Sequence, residues 1–312
     1  MPAPRISFIM PAWKGRFIKQ AISSILAQTS PDWELVIVDD CSPEPLKDIV
    51  NSFSDPRIRY VRNQVNLGLK NLVEQWNHCI TFATGEFIVL PGDDDMYIET
   101  FCEEFIRLAE KYPLVDLIRT STELIDEEGK HLYDDHILPE FTNKYEYLNW
   151  WLTGRFCTCI GNFAFRRSAL EAMGGFIDFP CAFGSDVATP IALSRNGVAN
   201  TSDMLFRFRI SKQHLSSDTS RYIEKLEAIS QLFEWLQALD YDVPNSAKDK
   251  EFYAVKNPDY LHRKVVYDYF NQVIKYLPLS KLNYLTYCRL ATPLDKFMMT
   301  LRRLKQYFEN GK

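Results

Sequence analysis

Over the first 97 residues, short apolar runs alternate with segments of helical period, and this alternation constrains the fold more than any other feature of the chain. "ISFIM" (Ile6–Met10), "WELVIVDD" (Trp33–Asp40), "RIRYVRN" and "EFIVL" are compact and rich in β-branched residues, as buried strands are. Between the first two, "GRFIKQAISSILAQ" repeats Phe17, Ile18, Ala21, Ile22, Ile25 and Leu26 at helical spacing. "PEPLKDIVNSF" and "GLKNLVEQWNHCITFATG" read as the next two helices. Strand–helix alternation of this kind predicts a parallel sheet with helices on both faces, and ligands outside the carboxyl ends of its strands.

After Met96 the alternation loosens. "IETFCEEFIRLAEKY" reads as a helix, "VDLIRTSTELIDEEGKHLY" as two strands joined at Glu128-Gly129, and "KYEYLNWWLTGRF" as an aromatic-rich helix. "CIGNFAFRR" is another strand, and "DVATPIALSRNG" a helix closed by Gly197. From about Asp218 the chain is helical, with periodic segments at Tyr222–Leu239, His262–Tyr276 and Pro293–Asn310 broken near Pro244, Pro258 and Pro278. The expected division is therefore residues 1–217 and a helical extension, 218–312. The net charge of -5 over 312 residues argues against a nucleic-acid partner. No apolar run approaches the ~20 residues that span a bilayer, and the N-terminus enters strand-like sequence without a signal-peptide pattern. The seven cysteines are scattered, which fits buried reduced thiols in a cytoplasmic protein.

Chemistry is expected at the strand ends, where the acids gather. "FIVLPGDDDMY" ends an apolar run in three consecutive carboxylates, Asp93, Asp94 and Asp95, and Asp39-Asp40 end the second run. The turn after the first strand, "MPAWKGRF", has one glycine, which excludes a dinucleotide fingerprint, and no P-loop sequence occurs. The turn offers Trp13 instead, a flat surface on which a base can stack, while a carboxylate accepts hydrogen bonds from a base or ribose. Hard oxygen donors suit Mn²⁺ or Mg²⁺, held jointly with phosphates. Together these features point to a nucleoside diphosphate.

"FIMPAWKGRFIKQAISSILAQTSPDWELVIVDDCSPE", "NLGLKN…WNHCITFATGEFIVLPGDDDMY", "CIGNFAFRRSALEAMGGFID" and "FGSDVATPIALSRNG" resemble, in order, the motifs of the family 2 glycosyltransferases. The resemblance covers about residues 5–215. It implies a Rossmann-like GT-A α/β fold with a mostly parallel central sheet, a nucleotide-sugar half at about 1–97 and an acceptor half at about 98–217. It also implies an inverting transfer of one sugar from a nucleotide-sugar, a UDP-sugar, to an acceptor hydroxyl in surface polysaccharide or glycolipid synthesis. Pro11, Ala12, Trp13, Asp39, Asp40, Asn66, Gly68 and Asp94 would bind the nucleotide. Asp93, Asp95 and His214 would serve the metal, Asp186 would be the general base, and Gly174-Gly175 would shape the acceptor side. Gly92 stands where the family usually has an acid, and Ser185 replaces the glutamate before the base. Glu234 in "QLFEW" replaces the arginine of processive relatives, which implies single additions.

Each assignment has a plainer alternative. Asp93–Asp95 could cap a helix beginning at Met96, and Asp39-Asp40 one near Pro43. Trp13 could be a core lid, and Asp186 an N-cap. A sugar-phosphate nucleotidyltransferase would carry a glycine-rich basic loop that this chain lacks, whereas a catalytically silent carbohydrate-binding or scaffold protein on the same fold stays open. Acceptor choice would fall to the surface from about Arg119 to Arg166 and to the tail. From Leu261 onward Lys and Arg number ten against three Asp and Glu. "DKFMMTLRRLKQYFENGK" places Phe297, Met298, Leu301, Leu304 and Phe308 along one helical face, which suits peripheral contact with the inner face of a membrane, packing on its own domain, or a homo-oligomer.

Overall fold

The computed structural model describes residues 3–211 and 220–310. They form two compact units, one running to Asp178 and including Thr189–Ser211, the other comprising Phe179–Ala188 and the chain from residue 220. The Phe179–Ala188 segment, which falls within the first 217 residues, thus groups with the helices.

In the first unit the alternation becomes β1 (Ile6–Ala12), α1 (Ile18–Leu26), β2 (Trp33–Asp39), α2 (Leu46–Val50), β3 (Ile58–Arg62), α3 (Leu72–Ile80) and β4 (Phe87–Val89). β1 pairs in parallel with both β2 and β4, and β2 with β3. Phe8, Ile37 and Val89 are wholly buried, and Ile18, Ala21, Ile22 and Ile25 of α1 join the same core. The apolar runs are continuous because both faces of these strands are covered.

The acids of Asp93–Asp95 do not cap a helix at Met96. They lead into a short strand, β5 (Met96–Tyr97), and the helix, α4, begins at Phe101 and ends at Lys111. The sheet continues with the hairpin β6 (Leu117–Ile125) and β7 (His131–Asp134), then β8 (Phe141–Thr142), α5 (Lys144–Leu152), β9 (Phe163–Arg166) and α6 (Arg167–Ala172). α7 (Ser185–Leu193) precedes β10 (Val198–Arg209). The strand order is β3-β2-β1-β4-β9-β6-β10-β5, with β7 on β6 and β8 on β10. Its long ladders are parallel, including β6 with β10, while β9 runs antiparallel between β4 and β6.

The helical unit holds α8 (Tyr222–Ala238), α9 (Ala247–Tyr253), α10 (Pro258–Asp268) and α11 (Pro293–Asn310). Leu226, Ile229, Phe233 and Leu236 bury one side of α8, which carries the "QLFEW" segment. After α10 the chain makes a π-turn at Tyr269–Val273, where Tyr269 is hydrogen-bonded at 2.5 Å to Ser230 of α8. Among the described residues no helix is long and apolar enough to cross a membrane.

Arg119, at the start of the stretch expected to face the acceptor, is instead wholly buried and ion-paired with buried Asp135. The other oxygen of Asp135 accepts from the Cys157 N–H at 3.0 Å, and the guanidinium lies 4.5 Å from the Phe156 ring centroid. This pair fixes the 157 loop to the sheet. Arg119→Ala strands an unpaired buried carboxylate, so it should cost about 3–5 kcal/mol in urea unfolding. Replacing both partners by apolar residues of similar size should recover much of that loss.

Candidate functional site

The register of the parallel strands brings the expected nucleotide residues into one row. Ala12 of β1 lies opposite Asp39 of β2, which lies opposite Arg62 of β3, and the Asp40 N–H donates to the Ala12 carbonyl at 2.9 Å. On the other side Phe8 faces Val89, so four residues further on Asp93 arrives beside Trp13. One oxygen of Asp93 accepts from the N–H groups of both Trp13, at 2.9 Å, and Lys14, at 2.7 Å. The Trp13 carbonyl accepts from the Ser42 hydroxyl at 2.6 Å, and the side chain of Trp13 is 44% exposed. Tied at both backbone ends and open on its ring, Trp13 is not a core lid.

The two acids after β2 are held differently from one another. Asp39 is fully buried and accepts from the Ser42 N–H at 2.7 Å, from the Tyr60 hydroxyl and from the Arg62 guanidinium. Burial, and then this bond to Asp39, push the Tyr60 hydroxyl up to about 12. Asp40 accepts from the Asn63 amide at 2.8 Å and from the Leu67 and Gly68 N–H groups at 2.9 and 2.7 Å. A Cβ at Gly68 would lie 3.0 Å from Asp40, so glycine allows this close approach. Asn66 closes the same loop by accepting from the Leu69 N–H at 2.6 Å. Asn63 links it to α3 through Gln75 and His78. Neither acid caps a helix near Pro43.

Asp94 and Asp95 converge beside Gly92. A Cβ built there would lie 2.9 Å from Asp94 Oδ1 and 2.8 Å from Asp95 Oδ2. Asp95 is buried and accepts from the Arg209 N–H at 3.3 Å, while the Arg209 guanidinium donates to the Asp94 carbonyl at 3.0 Å. That guanidinium also holds the carbonyls of Asp126 and Glu127 and the side chain of Gln20, and stacks 4.4 Å over Phe17. It ties three segments around the acidic loop, and the motif reading did not single it out. No local pattern marks it, because Arg207, on the same face of the strand, has a side chain 40% exposed while Arg209 is buried.

Desolvation raises all three acids. Asp93 is pushed up to about 6, against the pull of its two N–H donors, and Asp94 is raised by burial against the charge of Lys14. Asp95 is raised well above the carboxylate range by burial and then by the neighbouring charge of Asp94. A divalent cation reverses this balance by favouring the ionised forms. Among the described residues no group of three or more His, Cys, Asp or Glu could hold a metal ion. Two convergent carboxylates do fit the mode in which a hard cation is shared between protein and phosphate oxygens.

The remaining described candidates belong to other elements. Gly174 and Gly175 close α6 with positive φ values of 86° and 98°, their N–H groups donating to Glu171 and Leu170. A side chain at Gly175 would overlap the Asn77 carboxamide, whose oxygen accepts from the Phe176 N–H at 2.7 Å. Asp186 belongs to the other unit, in the first turn of α7, where burial pushes its carboxyl up to about 7. Ser185 beside it accepts from the Phe179 N–H at 3.2 Å. His214 lies outside the described residues.

The bonds made by Asp93 need an acceptor rather than a charge. Asp93→Ala leaves two N–H groups without their acceptor and should cost about 2 kcal/mol in urea unfolding. Asp93→Asn, whose amide oxygen can accept both, should retain most of the stability.

Residues 7–174, more than half of the chain, match the profile described as "Glycosyl transferase family 2". Over 115 residues the chain is 39% identical to WcaA of Escherichia coli (strain K12), provisionally named a colanic acid biosynthesis glycosyl transferase, covering 36% of this chain and 39% of that one. It is 35% identical over 94 residues to Escherichia coli WfgD, named UDP-Glc:alpha-D-GlcNAc-diphosphoundecaprenol beta-1,3-glucosyltransferase, covering 30% of this chain and 36% of that one. These matches span well under two thirds of either relative. Among solved structures, S. aureus TarS in complex with UDP-GlcNAc superposes with a TM-score of 0.72 at 15% identity, over 99% of this chain and 92% of that one. The mannosyltransferase PcManGT from Pyrobaculum calidifontis, with GDP-Man and Mn²⁺, gives 0.56 at 16% identity, over 98% and 81%. The mixed sheet with its long parallel ladders is therefore the fold of these GT-A enzymes, as the motifs implied. By the match across residues 7–174, the chain belongs to glycosyl transferase family 2.

Proposed function

We propose that this protein transfers a single sugar from a UDP-sugar to an acceptor hydroxyl, with inversion, in the synthesis of a surface polysaccharide or glycolipid. The observation that carries this reading is the row of strand ends, where an exposed, backbone-anchored Trp13 directly follows Ala12, the register partner of Asp39, and is hydrogen-bonded to the Asp93 loop. A uracil ring would stack on Trp13, with Pro11 and Ala12 beside it. Asp40 would meet its polar edge with a lone pair that its internal donors leave over, since a carboxylate offers about four, while fully buried Asp39 would fix the strand end behind it. The loop through Asn66 and Gly68 would close over the nucleoside. The UDP-GlcNAc bound by TarS and the UDP-Glc in the name of WfgD support a uridine donor. The diphosphoundecaprenol in that name supports a lipid-linked saccharide as acceptor.

Asp94 and Asp95 would hold Mn²⁺ or Mg²⁺ together with the diphosphate, and PcManGT with Mn²⁺ supports the choice of ion. When bound, the cation would neutralise charge developing on the departing diphosphate. Asp93 would keep its place on the Trp13 turn and add charge. Asp186 would take the proton of the acceptor hydroxyl as its oxygen attacks the anomeric carbon, opposite the leaving group. A carboxyl near 7 is matched to that task, because a large share of it is ionised at neutral pH while it stays basic enough to accept the proton. Gly174-Gly175 would border the acceptor.

The base is active only when ionised. Transfer from a UDP-sugar should therefore rise as pH passes upward through about 7 and level off above it. Asp186→Asn should lose at least about a thousandfold in kcat and lose that pH limb, while UDP binding in Mn²⁺ stays within a factor of about two. Normal turnover in this variant would remove Asp186 from the mechanism. Asp95→Ala should abolish the difference that calorimetry reads between UDP binding with Mn²⁺ and with EDTA. Equal affinity of the unaltered protein in both conditions would count against a metal site.

A further inference from the structure

The family match ends at residue 174, and α11 lies far beyond it. Thr292 and Asp295 cap this helix reciprocally, with the Thr292 N–H donating to Asp295 at 2.8 Å and the Asp295 N–H to the Thr292 hydroxyl at 3.2 Å. His262 is also hydrogen-bonded to Asp295, at 2.9 Å. The inner side of the helix is marked by Met299, 1% exposed, and by Arg303, which donates to the Leu277 carbonyl at 2.8 Å.

The opposite side is apolar and open. Leu294, Phe297, Leu301 and Phe308 are separated by three, four and seven residues, so they share one face, and they are 69, 58, 44 and 78% exposed. Met298 flanks them, and the exposed side chains of Arg302 and Lys305 border the stripe. A solvated helix would carry polar residues on this face.

We propose that α11 lies on an anionic lipid bilayer surface, with Leu294, Phe297, Leu301 and Phe308 in the acyl boundary and Arg302 and Lys305 among the headgroups. Charge selects this occupant over a second copy of the chain. The segment from Leu261 carries ten Lys and Arg against three Asp and Glu in a chain whose net charge is -5. Two copies would bring equal basic segments together, whereas an anionic leaflet attracts each of them. An apolar stripe free to enter the bilayer and a basic border are the two contributions that hold an interfacial helix, and both are present on one side of α11. The proposal is independent of the catalytic reading, since binding is measured without a sugar donor.

The test is flotation of the full-length protein with vesicles of phosphatidylglycerol and phosphatidylcholine, alongside vesicles of phosphatidylcholine alone. The unaltered protein should float with the anionic vesicles and much less with the neutral ones. Phe297→Glu with Leu301→Glu, at exposed positions, should weaken anionic-vesicle binding by about tenfold or more, with an unchanged urea midpoint. Arg302→Glu with Lys305→Glu should weaken it comparably. No flotation of the unaltered protein, or equal flotation of the Phe297→Glu/Leu301→Glu variant, overturns the proposal. So does a dimer in sedimentation that this variant dissociates while flotation is absent, because the face then belongs to a second copy.

Discussion

Backbone N–H groups at the carboxyl ends of parallel strands need acceptors, and here neighbouring loops supply them as carboxylates. Asp39 takes the Ser42 N–H, Asp40 those of Leu67 and Gly68, and Asp93 those of Trp13 and Lys14. A turn leaving a strand has no ladder partner, and an unpaired buried amide is costly. A charged acceptor makes a stronger bond than a neutral one. The loops around the proposed nucleotide site are thereby fixed relative to one another before any ligand arrives, which removes part of the ordering cost of binding.

The same acids divide by what compensates them. Asp39 has a guanidinium and a phenol, and Asp40 has three N–H donors. Asp94 and Asp95 have Arg209 close by, but its guanidinium is directed at carbonyls, and only its backbone N–H reaches a carboxylate. Charge is therefore least satisfied where the two oxygens converge beside Gly92. That is where a diphosphate and its cation would complete the electrostatics.

The parallel half of the fold was legible because its strands are covered on both faces and read as unbroken apolar runs. The helices from Tyr222 onward were legible for a similar reason, since their buried side repeats at helical spacing. β10 was not. "VANTSDMLFRFR" mixes buried polar residues such as Asn200 and Thr201 with a register shift between Asn200 and Met204, so no simple period marks a strand. The row of Ala12, Asp39 and Asp40 could be anticipated from strand order. The attachment of Asp93 to the Trp13 turn depends on the register of β1 against β4, and no local pattern reports that register. Arg119 looked like a surface residue because its partner, Asp135, is remote in sequence.

Arg209 carries a mechanical consequence. It occupies the last position of β10, and shortly after Ser211 the chain leaves the first unit for the helical one. Its guanidinium grips the Asp94 carbonyl, the turn at Asp126-Glu127 and α1 at Gln20. A change at this one residue would act directly on the loop that presents Asp94 and Asp95. One basic side chain at a strand end thus ties the acidic loop, a hairpin turn and the first helix together at once, so that none of the three can shift alone.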